Sequence, residues 1–404
     1  MPEIAEVARV THFLRQHLVG KRISHVVAQD DKNIFGKVGT TGSAFETALG
    51  GKRVVGAGNQ GKYFWLELDS PPHPVMHLGM TGWIHIRGMQ TAYNRYAEKL
   101  SSLDEEAWPP KFWKFHLETE GDPGVSVAFT DARRFGRVRL VDCSGSEIRS
   151  NSPLVENGPD PVVDREIFTE DYLSKKMKGR HVPIKALLLD QAMISGIGNW
   201  VGDEIMYQAG MHPEQYSDDF SDSEIAKLYK AICYVCDTAV EKLGDSDQFP
   251  EDWLFNHRWS KGKKDAAKTL PNGERLMFIT VGGRTSCVVP TRQKKTGRVT
   301  AGVKEEEPEP IKKGKPSKQS SSYFNNDGEK NGDEEEQKPD APAAKKARSN
   351  NTKKKKSIKK EDDENTSVSE VVTGKKDNAK TSGKQTTPPS DIGRRRSTRL
   401  SKIS

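Results

Sequence analysis

Residues 63–69, YFWLELD, alternate in a pattern that belongs to one kind of secondary structure. Phe64, Leu66 and Leu68 fall on one side, Trp65 and Glu67 on the other. A period of two sends successive side chains to opposite faces, so this is a strand with one buried face. Similar short runs lie on either side: RISHVVA, RVVGA, PVMHLGM, GWIHIRG, KFHLET, VSVAFT and RVRLVD. About eight strands at this spacing, with few helical signals between them, predict an antiparallel β-sandwich. Ahead of them, EIAEVARVTHFLRQHLVG carries Ile4, Val7, Val10, Leu14 and Leu18 at helical spacing and stops at Gly20. That predicts an amphipathic helix packed across the sandwich. Pro2 is then expected at the first helical position, where a missing N–H is tolerated.

Beyond residue 150 the period lengthens to near four. EIFTEDYLSKKM, PIKALLLDQAMI, NWVGDEIMYQAG and SDSEIAKLYKAICYVCDTAVEKL each read as a helix, the last opened by a capping box of Ser221 and Glu224. ERLMFITVGGRTSCVVP reads as two strands joined at Gly282 and Gly283. The expected class is α+β: a β domain over residues 1–145, helices over 151–245, a hairpin over 250–297 and a tail over 298–404.

The net charge of +7 resides in that tail: residues 301–404 hold 25 Lys+Arg against 18 Asp+Glu, and residues 1–300 hold 39 of each. An anion site on the folded part must therefore be a local patch. The tail has almost no aromatic residues and is expected to be disordered, because it offers too little apolar surface to offset ordering entropy. Its clusters at Lys345, Lys346 and Arg348 and at the lysines 353–356 read as nuclear import signals or a polyanion tether. A nuclear location is the expectation. Cys143, Cys233, Cys236 and Cys287 make no disulfide framework, and the C-x-x-C pair lies in a helical pattern with no second pair to complete a zinc site. Cys233 and Cys236 are expected in the core, with no metal and no cofactor. The lack of a signal peptide or an apolar run of membrane length favours a reducing intracellular compartment.

Four stretches carry chemistry. Methionine before proline is usually trimmed, which makes Pro2 a terminal secondary amine. Terminal amines titrate near ~7.7–8.0 against ~10.4 for lysine, so more of the amine is unprotonated and able to attack electrophilic carbon. Glu3 beside it suits proton transfer. SGIGNW places a glycine turn before Asn199, aiming backbone N–H groups at an anion. DARRFG displays Arg133, Arg134 and Phe135 at a strand-to-strand tip, the combination of cation and apolar wedge that fills a distorted DNA step, and Met80 in HLGMTG is a second candidate wedge. Lys62 follows a Gln–Gly turn and can meet a phosphate. Each has a plainer reading: helix punctuation, a tight helical turn, core packing and a solvated lysine.

Together these stretches resemble the formamidopyrimidine-DNA glycosylase family, which excises oxidised purines. The resemblance spans residues 1 to about 297 through MPE and EV at the N-terminus, GKY, HLGMTG, DARRFG, IKALLLDQ and SGIGNWVGDE. It implies a helix-two-turn-helix domain and a bifunctional glycosylase and abasic-site lyase acting on double-stranded DNA as a monomer, with no membrane partner. It implies that Pro2 is the nucleophile at C1′, Glu3 the acid/base group and Glu6 its support. Lys62 is matched to the damaged nucleotide's phosphate, His77 and Lys185 to the DNA backbone and Asn199 to a phosphate. Met80, Arg133 and Phe135 are matched to the gap left by the flipped nucleotide. The chain departs from the usual signature at Ala5, where the family has proline. It also lacks the bacterial four-cysteine finger and so resembles the zincless plant and fungal branch, with Arg284 as the finger arginine. Residues 243–258 look shorter than the bacterial loop over 8-oxoguanine. A preference for formamidopyrimidines and further-oxidised guanines over 8-oxoguanine is expected. A noncatalytic DNA-binding protein is the competing reading, since it needs no free Pro2; a nucleotide site at the glycine turn fails because no P-loop is present.

Overall fold

The computed structural model describes residues 2–92, 108–260 and 268–296. The expectations for the tail fall outside these residues. Helix α1 (Ile4–Leu18) is followed by β1 (Ile23–Ala28), α2 (Gly42–Leu49), β2 (Val54–Gln60), β3 (Tyr63–Leu68), β4 (His73–His77), β5 (Trp83–Ile86), β6 (Trp113–Thr119), β7 (Ser126–Thr130) and β8 (Arg137–Val141). The strands form two four-stranded antiparallel sheets, ordered β1-β6-β7-β5 and β2-β3-β4-β8. Phe64, Leu66 and Leu68 point into the core as their alternation requires. They meet Phe115, Leu117, Val127 and Phe129 of the other sheet and Val7, Val10, Leu14 and Leu18 of α1. Truncating a buried ring such as Phe64 to alanine costs about 3–5 kcal/mol, because the cavity adds to the lost transfer energy.

Two details of this half differ from the sequence reading. Helix α1 begins at Ile4 with Glu3 as its N-cap, so Pro2 lies one residue outside the cap. The Glu6 carboxylate accepts the Glu3 N–H and fixes the start there. Helix α2 was not expected. Its eight residues are capped by Thr41, whose hydroxyl accepts the Ala44 N–H at 3.1 Å.

The second half holds α3 (Glu170–Lys178), α4 (Ile184–Leu189), α5 (Asn199–Ala209) and α6 (Asp222–Glu241). The capping box of Ser221 and Glu224 opens α6 as expected. Cys236 lies in the core and Cys233 packs against it. Helix α3 starts late, where the Thr169 hydroxyl caps Tyr172 N–H. Helix α4 is half the predicted length. Asp190 leaves helical geometry and its carboxylate accepts Ala192 N–H, while Met193 and Ile194 stay buried on a turn. Periodicity cannot separate a buried turn from a buried helix.

Helix α1 joins the two halves. Ile4 and Ala5 belong to the helical core, and from Val7 onward its apolar face belongs to the sandwich. The last strands, β9 (Met277–Val281) and β10 (Arg284–Val288), form an antiparallel hairpin. Gly282 and Gly283 connect them with φ of +58° and +75°, the pair of positive values that a two-residue type I′ turn demands. No helix among the described residues is long and apolar enough to cross a membrane.

Candidate active site

The chain start is buried in a seat made by the glycine turn. Ile4 N–H donates to the Gly196 carbonyl at 3.1 Å. The two oxygens of the Glu3 carboxylate accept Trp200 N–H and Val201 N–H, each at 3.0 Å. These donors belong to the first turn of α5, where N–H groups have no helical acceptor and the macrodipole is positive. The anion received by the glycine turn is therefore the chain's own Glu3. Glycine is required for that approach: a Cβ on Gly198 would overlap the Glu3 carboxyl group, and Gly196 adopts φ +94°. Glu6, 4% exposed, accepts Glu3 N–H at 2.8 Å. Burial, and then repulsion from Glu3, push its carboxyl group up to about 7. Beside Pro2 there is thus one carboxylate held by a helix terminus and a second group that titrates near neutrality.

The GKY turn locks onto the same helical segment. Gly61 N–H donates to the buried Asp160 carboxylate at 2.7 Å, and a Cβ there would come within 2.5 Å of Ser195. Half-buried Lys62 follows it, at the head of β3. Across the sheet, Tyr63 pairs with His77, His77 with Arg137 and Val75 with Arg139. Burial, and then Lys62, Arg137 and Arg139, press the His77 imidazole down to about 3. The ring is neutral. Its Nδ1 accepts Gly79 N–H at 2.9 Å, so the hydrogen sits on Nε2, as a donor. This strip is a local cationic patch on a folded part with no net charge.

Two turns carry the three wedge candidates, and one carboxylate ties the turns together. Buried Asp131 accepts Thr81 Oγ1 at 2.5 Å and Arg133 N–H at 3.1 Å on one oxygen, and Gly136 N–H at 2.7 Å on the other. Gly79, at φ +64°, lies against the Phe135–Gly136 backbone, where a side chain has no room. Arg133 is exposed, and its guanidinium stands 5.1 Å over the ring of half-buried Phe135. Met80 is half-buried on the facing turn.

Lys185 requires a correction. The expectation put it at the DNA backbone, but its side chain is 0% exposed. Its ammonium donates to the Asn199 carbonyl at 2.8 Å and to Asp203 at 2.6 Å. Isolated charge is expensive to bury, so this lysine stays with its carboxylate and braces the first turn of α5 at the Asn199 carbonyl. The other Asp203 oxygen accepts Arg258 at 2.7 Å and Cys287 N–H at 3.0 Å. Asn199 in turn donates its side-chain N–H to the Thr285 carbonyl at 3.0 Å. Asp203 and Asn199 together dock the hairpin, with half-buried Arg284 next to its glycine turn, onto α5. The hairpin does not suit zinc. Cys287 is its only cysteine, and its thiol is pushed up to about 12 by burial and then by Asp203. A small core of Tyr207, Leu254, Leu270, Leu276, Cys287 and Val289 holds it. Among the described residues no cluster of three His, Cys, Asp or Glu is placed to hold a metal.

Sequence reading missed Asp131, Asp160 and Asp203, the carboxylates that fix the site from behind. The available signal was position. Asp203 lies in a helical stretch whose neighbours Val201, Ile205 and Met206 are core residues, where an unpaired carboxylate is not tolerated.

Comparisons with known proteins match both halves of the chain. The family model described as formamidopyrimidine-DNA glycosylase N-terminal domain matches residues 1–138, and that described as formamidopyrimidine-DNA glycosylase H2TH domain matches residues 157–250. A formamidopyrimidine-DNA glycosylase of Arabidopsis thaliana is 40% identical over 299 residues, 74% of this chain and 72% of the relative. One from Dinoroseobacter shibae is 32% identical over 302 residues, 73% of this chain and all of the relative. A solved structure of the Lactococcus lactis enzyme, non-covalently bound to DNA containing an abasic site, superposes with a TM-score of 0.58 at 23% identity. It covers 72% of this chain and all of that one, a likeness of fold.

Proposed function

The chain belongs to the formamidopyrimidine-DNA glycosylase family, base-excision repair enzymes that are DNA glycosylases with abasic-site lyase activity, and we propose that Pro2 is its nucleophile. The observation that carries the proposal is the seat of the chain start: Glu3 on the first turn of α5 with Glu6 hydrogen-bonded to its N–H. The Pro2 amine attacks C1′ of the damaged nucleotide and the base departs with its electron pair and a proton. The bond between Pro2 nitrogen and C1′ becomes an iminium as the sugar ring opens, with Glu3 moving the proton at the sugar. The iminium acidifies the neighbouring carbon, and elimination releases the two flanking phosphates, leaving a one-nucleotide gap.

Lys62, neutral His77 through its Nε2–H, Asn199 and Arg284 grip the DNA backbone, and Met80, Arg133 and Phe135 fill the space of the everted nucleotide. The protein acts as a monomer and, through its basic tail, in the nucleus. The short segment over residues 243–258 supports a preference for formamidopyrimidines and further-oxidised guanines over 8-oxoguanine. Single-turnover excision of the three lesions in one duplex context tests this: a gapped product is expected from the first two, with 8-oxoguanine markedly slower. Equal rates refute the preference, and no gapped product from any lesion refutes the function.

A further inference from the structure

We propose that Asp31 and Arg134 form a clamp that positions the Arg133 and Phe135 wedge, Arg134 serving base eversion through Asp31 and not by touching DNA. The proposal rests on the reading of Arg133 and Phe135 as gap-filling residues. Arg134 lies between them in sequence, yet its guanidinium turns to Asp31. Nε donates to Oδ2 at 2.8 Å and a terminal nitrogen to Oδ1 at 2.9 Å, a forked pair. To reach it the Arg134 backbone takes φ +59°, in the left-handed region that residues with a Cβ seldom adopt. Such a conformation persists only where its surroundings enforce it.

Asp31 is a firm anchor. It is 6% exposed, its Oδ1 also accepts Asn33 N–H at 2.9 Å and Ile34 N–H at 3.3 Å, and Lys114 lies 3.3 Å from Oδ2. The Ile34 carbonyl accepts Val138 N–H at 3.0 Å, which joins the Asp31 turn to β8 directly beyond the wedge. Burial opposes the charged carboxylate, but Arg134 and these backbone donors hold it at about 2, so the pair is intact at neutral pH. An arginine whose fork is committed to a buried carboxylate has made its strongest interaction before DNA arrives. With Asp131 holding the tip on one side and Asp31 on the other, the wedge is set in advance, and no ordering cost falls at the moment of eversion.

Asp31→Asn, Arg134→Gln and the double variant test the clamp, with active protein counted by borohydride trapping so that misfolded material drops out. The readout is the single-turnover rate on a base-bearing lesion divided by that on a preformed abasic site, since only the first requires a base to be unstacked. Each single variant is expected to lower this ratio by about tenfold, and the double by no more than Asp31→Asn alone, because all three break the same forked pair and only the variants at Asp31 also release Lys114. Losses that multiply in the double, an unchanged ratio, or a loss in Arg134→Gln with none in Asp31→Asn overturn the clamp. Arg134→Lys gives an independent decision even if Asp31→Asn yields no active protein. It keeps the charge but cannot fork, so the clamp predicts that it behaves as Arg134→Gln, and a direct phosphate contact predicts wild-type behaviour. Phe135→Ala separates the two levels: if it leaves the ratio unchanged the wedge reading itself fails, and if it alone lowers the ratio only the clamp fails.

Discussion

Replacing Glu6 by glutamine should make the protein more stable in alkali than the natural chain. The Glu6 carboxyl group is buried beside Glu3 and is raised from an ordinary 4.5 to about 7. Between those values the folded chain holds a proton that the unfolded chain has lost. Stability from this group is therefore greatest below pH 4.5 and declines as pH rises through 7. A shift of that size corresponds to roughly 3 kcal/mol, of which about 2 kcal/mol develops between pH 5.5 and 8.5. Glutamine keeps an oxygen for the Glu3 N–H, as the 2.8 Å contact requires, and has no proton to lose. Glu204, also buried and raised to about 7, titrates in both proteins and cancels in their difference. Urea unfolding of the two chains at several pH values across that range measures the effect. The stability of Glu6→Gln relative to wild type should rise by about 2 kcal/mol from pH 5.5 to 8.5. A difference that stays constant with pH would show that Glu6 is not strained by its surroundings, and the reasoning would be wrong.

Other outcomes follow from the same geometry. Gly198→Ala drives a methyl into the Glu3 carboxyl group, so lyase turnover should fall by about 10²- to 10⁴-fold, the usual worth of a positioned acid/base group, in a gel assay of strand cleavage; wild-type rates would show that Glu3 needs no seat on α5. Asp203→Asn leaves Lys185 and Arg258 buried without their carboxylate and should cost about 3–5 kcal/mol in urea unfolding, with a cost under 1 kcal/mol counting against the network. Truncation after residue 297 should leave excision of short duplexes intact while reducing the salt dependence of nonspecific binding, since fewer lysines and arginines then displace counterions. Lost excision would place the tail in the active machinery.

The alternation of residues 63–69 made β3 legible, because a one-faced period of two belongs to a strand, and the similar short runs around it marked the other seven, although β4 and β7 are buried over four successive residues. Helix α2 was hidden because GSAFETAL opens with glycine and is too short to establish a period. The overlong reading of residues 183–194 arose because Met193 and Ile194 are as buried on a turn as they would be on a helix. At the site, the residues assigned from position in the chain or from a compact motif were visible: Pro2, Glu3 and the DARRFG tip. Residues that act across long sequence separations were not. Nothing local links Asp203 to Cys287 or Asp31 to Arg134, and Lys185 looks like any surface lysine until Asp203 is folded against it.

The central claim concerns which atom bonds to the sugar. Borohydride reduction of the protein on a duplex with an abasic site, followed by mass spectrometry of the digested adduct, locates that bond directly. The account predicts one adduct, on the peptide that begins with Pro2, and none from Pro2→Gly at comparable rate or from a chain carrying extra residues before Pro2. An adduct on Lys62 or another lysine, or undiminished trapping by the extended chain, would contradict it.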